Sequence, residues 1–196
     1  MKKAIFLDRD GVINQLLPSN QKFGFICKKE DVVILPNVKE AILTLKNRGY
    51  LLFVITNQPA VARGLVSYGE MEALNQFINE KLDNNIERFY FCPHHPEMHP
   101  DVPEHAKKYR VVCECRKPAP GMILQAAKEF DIQTNKSWMI GDMITDIATG
   151  AAAGCKTILI ESPSNSRVII SSQSFNKDIK PDHHAKNLSD ALQFII

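Results

Sequence analysis

The stretch Lys3-Ala-Ile-Phe-Leu-Asp8-Arg-Asp10-Gly11-Val-Ile-Asn14 carries four apolar residues, Ala4 to Leu7, straight into two aspartates one residue apart. An apolar run this short fits a buried strand, and Gly11 marks where the strand ends and the chain turns. A strand sends alternate side chains to one face, so Asp8 and Asp10 leave it on the same side. Two carboxylates this close repel unless positive charge lies beside them. Oxygen ligands at a strand end suit Mg²⁺. A solvated Asp-x-Asp turn accommodates the same residues, and this stretch alone leaves both readings open.

Working outward, the theme of an apolar run ending in polar groups recurs. After Gly11 a loop is expected from Asn14 to about Phe25, either overhanging the carboxylates or simply crossing the surface. Val38, Ala41, Ile42 and Leu45 fall at i, i+3, i+4 and i+7, one face of a helix with Asn37 as its expected N-cap and Gly49 as its stop. Tyr50 to Ile55 is a near-continuous apolar run, as in a strand buried on both faces, and it ends in Thr56-Asn57-Gln58-Pro59. The spacing predicts a second helix over 68–83, with Met71, Leu74, Phe77, Ile78 and Leu82 inward, and a third strand over 86–91. Pro120 starts a third helix over 121–130. Ser137 to Ile140 is a fourth strand, ending in Gly141-Asp142-Met-Ile-Thr-Asp146, and a small-residue helix follows over 147–153. Lys156 to Ile160 is a fifth strand. Residues 161–181 are polar and read as a loop. Ala185 and its neighbours read as a last edge strand, and Leu188, Leu192 and Ile195 line a C-terminal helix. Alternating strands and helices imply βαβ units, hence a parallel sheet in a Rossmann-like three-layer α/β/α fold. In such sheets ligands bind beyond the C-terminal ends of the strands, where the polar groups gather.

At 196 residues the chain is long enough for one domain with a sizeable core and short for two, so residues 1–196 are read as a single domain. Residues 64–91 hold one helix and one strand, too little for a large cap domain. The formal net charge of +2 is too small to point to nucleic acid or an anionic membrane as partner. No apolar run reaches the ~20 residues of a transmembrane helix, and Asp8 cuts short any signal-like start. A cytoplasmic, monomeric protein with a small-molecule partner is expected. The five cysteines, an odd number, argue against a disulfide framework.

Three of those cysteines cluster with histidines. Cys92-Pro-His94-His95 and Cys113-Glu-Cys115 form a Cys-x-His and Cys-x-Cys set, and three thiolates with one imidazole suit tetrahedral Zn²⁺. A pair of reduced surface cysteines is the alternative, and His95 rivals His94 as ligand. His99 and His105 are expected in solvent. The stretch from Cys92 to Pro120 shows little helix or strand pattern, and its part at about 92–116 reads as a zinc-binding loop insertion.

Asp8-Arg-Asp10-Gly11-Val, Thr56-Asn57, Lys117 and Gly141-Asp142-x-x-x-Asp146 occur in an order that resembles the haloacid dehalogenase-like phosphatases, over about Lys3 to Ile160. The resemblance implies Asp8 as the nucleophile that takes the phosphoryl group and Asp10 as general acid and then base. It implies Thr56 and Lys117 as stabilisers of the transferring phosphoryl. Mg²⁺ would be held by Asp8, Asp142 and the backbone carbonyl of Asp10, with Asp146 supporting Asp142 or Lys117. A carboxylate attacking a phosphate dianion faces like-charge repulsion, and Mg²⁺ and Lys117 would neutralise it.

Cys92-Pro-His94-His95-Pro-Glu, Cys113-x-Cys115-Arg116-Lys117-Pro118-x-Pro120-Gly121-Met122 and the run from Thr56 to Gly64 are similar to the zinc-containing subfamily of these phosphatases. Zinc would be structural, on Cys92, His94, Cys113 and Cys115, fixing the direction of Arg116 and Lys117. The implied substrate is a heptose bisphosphate, with histidinol phosphate as the alternative. Thr56, Asn57, Gln58, Arg116 and Lys117 would contact it, Arg116 at its second phosphate; Arg63 is expected in solvent. The chain departs from the subfamily in the 18 residues from 95 to 112, in Met143 after Asp142, and in the loop after Asn14. A zinc-stapled scaffold on a dead phosphatase fold would be expected to lack Asp8, Asp10 or Lys117, and all three are present.

Overall fold

The computed structural model describes residues 2–17, 24–96, 102–161 and 179–196. Among these, β1 (Ala4–Leu7), β2 (Leu51–Asn57), β3 (Arg88–Cys92), β4 (Trp138–Gly141), β5 (Lys156–Ile160) and β6 (His183–Ala185) form one sheet in the order β3-β2-β1-β4-β5-β6. Every neighbouring pair is parallel. The helices are α1 (Val38–Asn47), α2 (Tyr68–Lys81), α3 (Glu104–Lys107), α4 (Gly121–Phe130), α5 (Ile144–Ala152) and α6 (Leu188–Ala191).

Strand periodicity divides the core between two faces. Ile5, Leu7, Leu52, Val54, Trp138 and Ile140 pack with Ile42 and Leu45 of α1, Met71 and Ile78 of α2 and Leu188 of α6. The intervening Phe6, Phe53, Ile55 and Met139 pack with Met122, Ile123 and Ala126 of α4. Each fully buried side chain of this size contributes about 1.5–3 kcal/mol. Both faces are therefore covered, which is why the strands read as continuous apolar runs. This is the expected three-layer α/β/α arrangement, and the described residues show no cap domain. Among the described residues no helix is long and apolar enough to cross a membrane.

Several boundaries differ from expectation for local reasons. Asn37 precedes α1 but does not cap it with its side chain; its φ of 60° is left-handed. Leu35 to Val38 instead form a turn closed by Val38 N–H donating to the Leu35 carbonyl, with Pro36 and Asn37 as the central pair that such a turn favours. At α2 the cap is Ser67. Its Oγ accepts from Glu70 N–H and its own N–H donates to Glu70 Oε2, a capping box visible in the sequence as Ser-x-x-Glu. β3 begins and ends later than expected, taking in Cys92, and a short α3 interrupts the segment expected to be structureless. α5 starts at Ile144 rather than Ile147 because Asp146 Oδ2 accepts from Met143 N–H and closes the turn from β4. Of the loop expected over 161–181, residues 162–178 lie outside the described residues.

Candidate active site

β2, β1 and β4 are adjacent in the sheet, and their ends bring the polar groups together. Register aligns Leu7 with Val54 and with Ile140, so Asp8, Thr56 and Asp142 emerge on the same sheet edge. Asp8 N–H still bonds the Ile140 carbonyl at 2.9 Å, and its carboxylate oxygen Oδ1 accepts from Arg9 N–H at 2.7 Å. Lys117 reaches in from the loop before α4. Its Nζ lies 2.9 Å from Asp8 Oδ1, 2.6 Å from Asp146 Oδ1 and 3.0 Å from the Ile55 carbonyl. The three ammonium protons are thus spent, and Asp146 supports Lys117 as expected.

Two glycines allow this closeness. Gly11 has a φ of +89°, and a Cβ there would lie 2.1 Å from Asp142 Oδ2. A Cβ at Gly141 would lie 2.2 Å from the Cβ of Asp146. Any side chain at either place would push a carboxylate out of the cluster.

The electrostatics fit a divalent cation. Asp8, Asp142 and Asp146 each present an oxygen within 4.8 Å of the others, all buried, against the single ammonium of Lys117. Burial pushes Asp8 up to about 7, with Lys117 partly opposing and Asp146 adding to the rise. Asp146 is raised for the same reason, again opposed by Lys117. Lys117 is raised despite its burial, because Asp146 and Asp8 outweigh desolvation. Carboxylates held so reluctantly in charged form are what a bound cation relieves.

Asp10 sits in a different environment. It accepts from Arg9 Nε (3.1 Å) and Nη2 (2.9 Å), from Asn14 Nδ2 (2.8 Å) and from Gln58 Nε2 (2.8 Å). Desolvation would raise it, but Arg9 and these donors together hold it below the usual carboxylate range. The two aspartates that leave the strand together therefore end as unlike groups.

Two residues expected to meet substrate serve the site itself. Asn57 Nδ2 donates to the Lys117 carbonyl (3.1 Å) and its Oδ1 accepts from Lys117 N–H (3.0 Å), clamping the backbone that carries the lysine. Gln58, 1% exposed, donates from Nε2 to Asp10 Oδ2 and to Thr56 Oγ1 (3.0 Å). Thr56 is buried beside them. Arg9 and Asn14 escaped the sequence reading. An arginine between two aspartates reads as solvated, and nothing local shows that it is buried.

The Cys/His set is gathered as one cluster. Cys92, Cys113 and Cys115 Sγ atoms stand 3.2–3.5 Å apart, and His94 Nδ1 lies 3.3 Å from Cys115 Sγ and 3.7 Å from Cys92 Sγ. Disulfide sulfurs would be about 2.05 Å apart. A tetrahedron with bonds of about 2.3 Å has edges near 3.8 Å, so the donors fit zinc with a small expansion. Contacts among the three thiols lower Cys115 and, with burial, raise Cys92 and Cys113, a crowding of sulfurs that a bound cation would relieve. Among the described residues the four-donor group contains His94 and not His95, whose N–H bonds the Tyr109 carbonyl. His99 lies outside the described residues and His105 is exposed. Arg116 Nη1 donates to the His94 carbonyl (3.0 Å), tying the cluster to the residue before Lys117. Arg63 lies over the Phe25 ring, 5.1 Å from its centroid, and is only half-exposed.

A cavity of about 500 Å³ adjoins Gly11, lined by Gln15, Leu16, Asn37, Glu161, Lys186 and Asn187 among others. A wider cleft of about 810 Å³ runs along the open side of β3 and shares no residue with the carboxylate cluster. Chemistry, not cavity size, locates the active site here.

A parallel sheet with an Asp-x-Asp pair, a lysine and further aspartates at its C-terminal edge defines a phosphoryl-transfer class of hydrolase. A model of the HAD-hydrolase-like family matches residues 114–191. A D-glycero-beta-D-manno-heptose-1,7-bisphosphate 7-phosphatase of Pasteurella multocida is 38% identical over 165 residues, 82% of this chain and 83% of the relative. A D-glycero-D-manno-heptose-1,7-bisphosphate 7-phosphatase of Chlorobaculum tepidum is 32% identical over 199 residues, 97% and 92% of the two chains. The solved D,D-heptose 1,7-bisphosphate phosphatase from B. bronchiseptica, complexed with magnesium and phosphate, superposes with a TM-score of 0.75 at 26% identity. That match covers 98% of this chain and 97% of that one. The chain belongs to the haloacid dehalogenase-like phosphatases.

Proposed function

We propose that this chain removes the 7-phosphate of a heptose 1,7-bisphosphate, through a phosphoryl group carried transiently on Asp8, as one cytoplasmic monomer. The observation that carries the reading is the contact of Asp8 with Lys117 beside Asp142, on the sheet edge where all three strand ends meet. The named relatives support the substrate.

An Asp8 carboxylate oxygen attacks phosphorus and the bond from phosphorus to the sugar oxygen breaks. Asp10 takes up a proton as the substrate's negative charge enters and displaces one of its donors, and gives that proton to the sugar oxygen. Asp10 then takes a proton from water as the water attacks phosphorus, releasing inorganic phosphate and restoring Asp8. As negative charge spreads over the phosphoryl oxygens, Thr56 donates toward them and Lys117 turns toward them the proton it otherwise gives Asp8. Asp8, Asp142 and the Asp10 carbonyl would hold Mg²⁺, which supplies charge neutralisation and favours the ionised form of Asp8. The four-donor Cys/His cluster would hold structural zinc. Arg116 is poised on the loop that this zinc secures, and it is assigned to the distal phosphate. The cavity beside Gly11, with Gln15, Asn37 and Asn187 on its wall, suits sugar hydroxyls.

The test is phosphate release from heptose 1,7-bisphosphate (both anomers) and from histidinol phosphate, with and without magnesium. A clear kcat/KM preference for a heptose bisphosphate is expected. Preference for histidinol phosphate would overturn the substrate, and no release from either would overturn the reading.

A further inference from the structure

We propose that Arg9 is a positioning residue for Asp10, and that Asn75 of α2 holds Arg9 in place from behind. The proposal rests on the reading above that Asp10 moves the proton of the leaving oxygen.

Arg9 is fully buried, although it stands between two acidic residues at a turn. A buried guanidinium is costly unless its donors are satisfied. Nε and Nη2 take the two oxygens of Asp10 side by side, and Nη1 donates to Asn75 Oδ1 at 3.0 Å, with Met71 Sδ at 3.3 Å. The planar fork fixes the plane of the carboxylate as well as its charge, which an ammonium could not do. Asn75 is 3% exposed on a helix face otherwise made of Met71, Leu74 and Ile78. A polar residue there costs stability unless it has a partner, and Arg9 is that partner. Its Nδ2 has none in the structure, so the side chain is retained for its oxygen alone.

The clamp also decides which bond Asp10 can release. Four donors occupy its two oxygens, so a leaving-group oxygen must displace one of them. Arg9 is tied on its far side and cannot follow. Asn14 Nδ2 and Gln58 Nε2 each also reach a second acceptor, the Gln15 carbonyl and Thr56 Oγ1, so one of these amides rather than Arg9 is the donor that the leaving oxygen replaces. α2 thereby sets where the Asp10 carboxyl points while an amide makes room.

The test compares kcat/KM for the sugar phosphate, whose alkoxide needs a proton, with p-nitrophenyl phosphate, whose phenolate leaves without one. Asp10→Asn sets the full discrimination, on the order of 10²-fold or more. Asn75→Ala is a helix-compatible truncation. It is expected to lower kcat/KM on the sugar phosphate by roughly 10–100-fold and on the aryl ester by less than about 3-fold. Asn75→Asp keeps the acceptor oxygen and should restore the ratio, and Arg9→Lys should behave like Asn75→Ala. Equal losses on both substrates for Asn75→Ala and Arg9→Lys, with Asp10→Asn still discriminating, would overturn this inference alone. An Asp10→Asn variant that does not discriminate would overturn it together with the proton-transfer reading beneath it.

Discussion

At the scale of the residue, the site sets charge against charge. Asp8 is held close to Lys117 yet desolvated, with Asp146 and Asp142 nearby, so its ionised form is costly without a cation. Asp8→Asn keeps the shape and removes one buried negative charge. Turnover should fall by roughly 10⁴-fold or more, while resistance to urea is retained. Near-normal rates in that variant would sink the mechanism. Lys117→Met is the converse. It strips the buried Lys117 ammonium from a carboxylate cluster and should cost about 3–5 kcal/mol of stability, read from urea unfolding, besides lowering kcat by at least about 10²-fold. Gln58 and Asn57 are harder to read in advance, because an amide at a strand end looks the same facing substrate or facing its own protein. Only the positions of Asp10 and of the Lys117 backbone decide.

At the scale of the element, the loop from β3 to α4 is the decisive piece, because its described residues hold no regular element longer than the four-residue α3 to direct Lys117. Three tethers replace it: the Cys/His cluster, the Arg116 bond to the His94 carbonyl, and the two-way clamp of Asn57 on Lys117. Cys115→Ser is expected to abolish tight zinc binding, about one zinc per chain in the parent protein by elemental analysis. It should lower the unfolding midpoint by about 10 °C, equivalent to roughly 3 kcal/mol at this chain length. Retention of stoichiometric zinc and an unchanged midpoint would refute the staple. Asn57→Ala leaves the zinc donors in place but frees the lysine backbone. It should reduce kcat by about 10-fold with little change in KM, since the loosened group acts on the transition state.

At the scale of the whole molecule, the buried carboxylates link folding to pH. The folded-state value of about 7 for Asp8 lies above its ordinary 3.8, so the folded protein binds this proton more tightly than the unfolded chain. That contribution is fully present below pH 3.8 and is lost as pH rises toward 7; Asp146 acts in the same direction. In magnesium-free buffer, stability should therefore decline from about pH 5 to pH 7, by about 2 kcal/mol of the roughly 4 kcal/mol that Asp8 contributes in all. Millimolar magnesium should flatten the decline, since a cation needs the ionised carboxylate. Urea midpoints at pH 5, 6 and 7 with and without the metal test this, and a magnesium effect equal at all three would contradict it.

The sequence by itself determined the layering and the location of the site. Apolar runs of strand length alternating with helical periodicity have few ways to bury both faces, and the polar groups that end those runs must share one edge of a parallel sheet. It also determined the donor types of the Cys/His set, since three thiolates and an imidazole are chemistry visible in one dimension. Tertiary structure alone decided which neighbour each polar atom meets. It selected His94 over His95, turned Asn57 and Gln58 inward, gave Asp146 to Lys117, and buried Arg9 between Asp10 and an asparagine 66 positions away. The physical reason is range. Periodicity and turn chemistry act over a few residues, whereas a hydrogen bond of 3 Å is set by how separate elements pack.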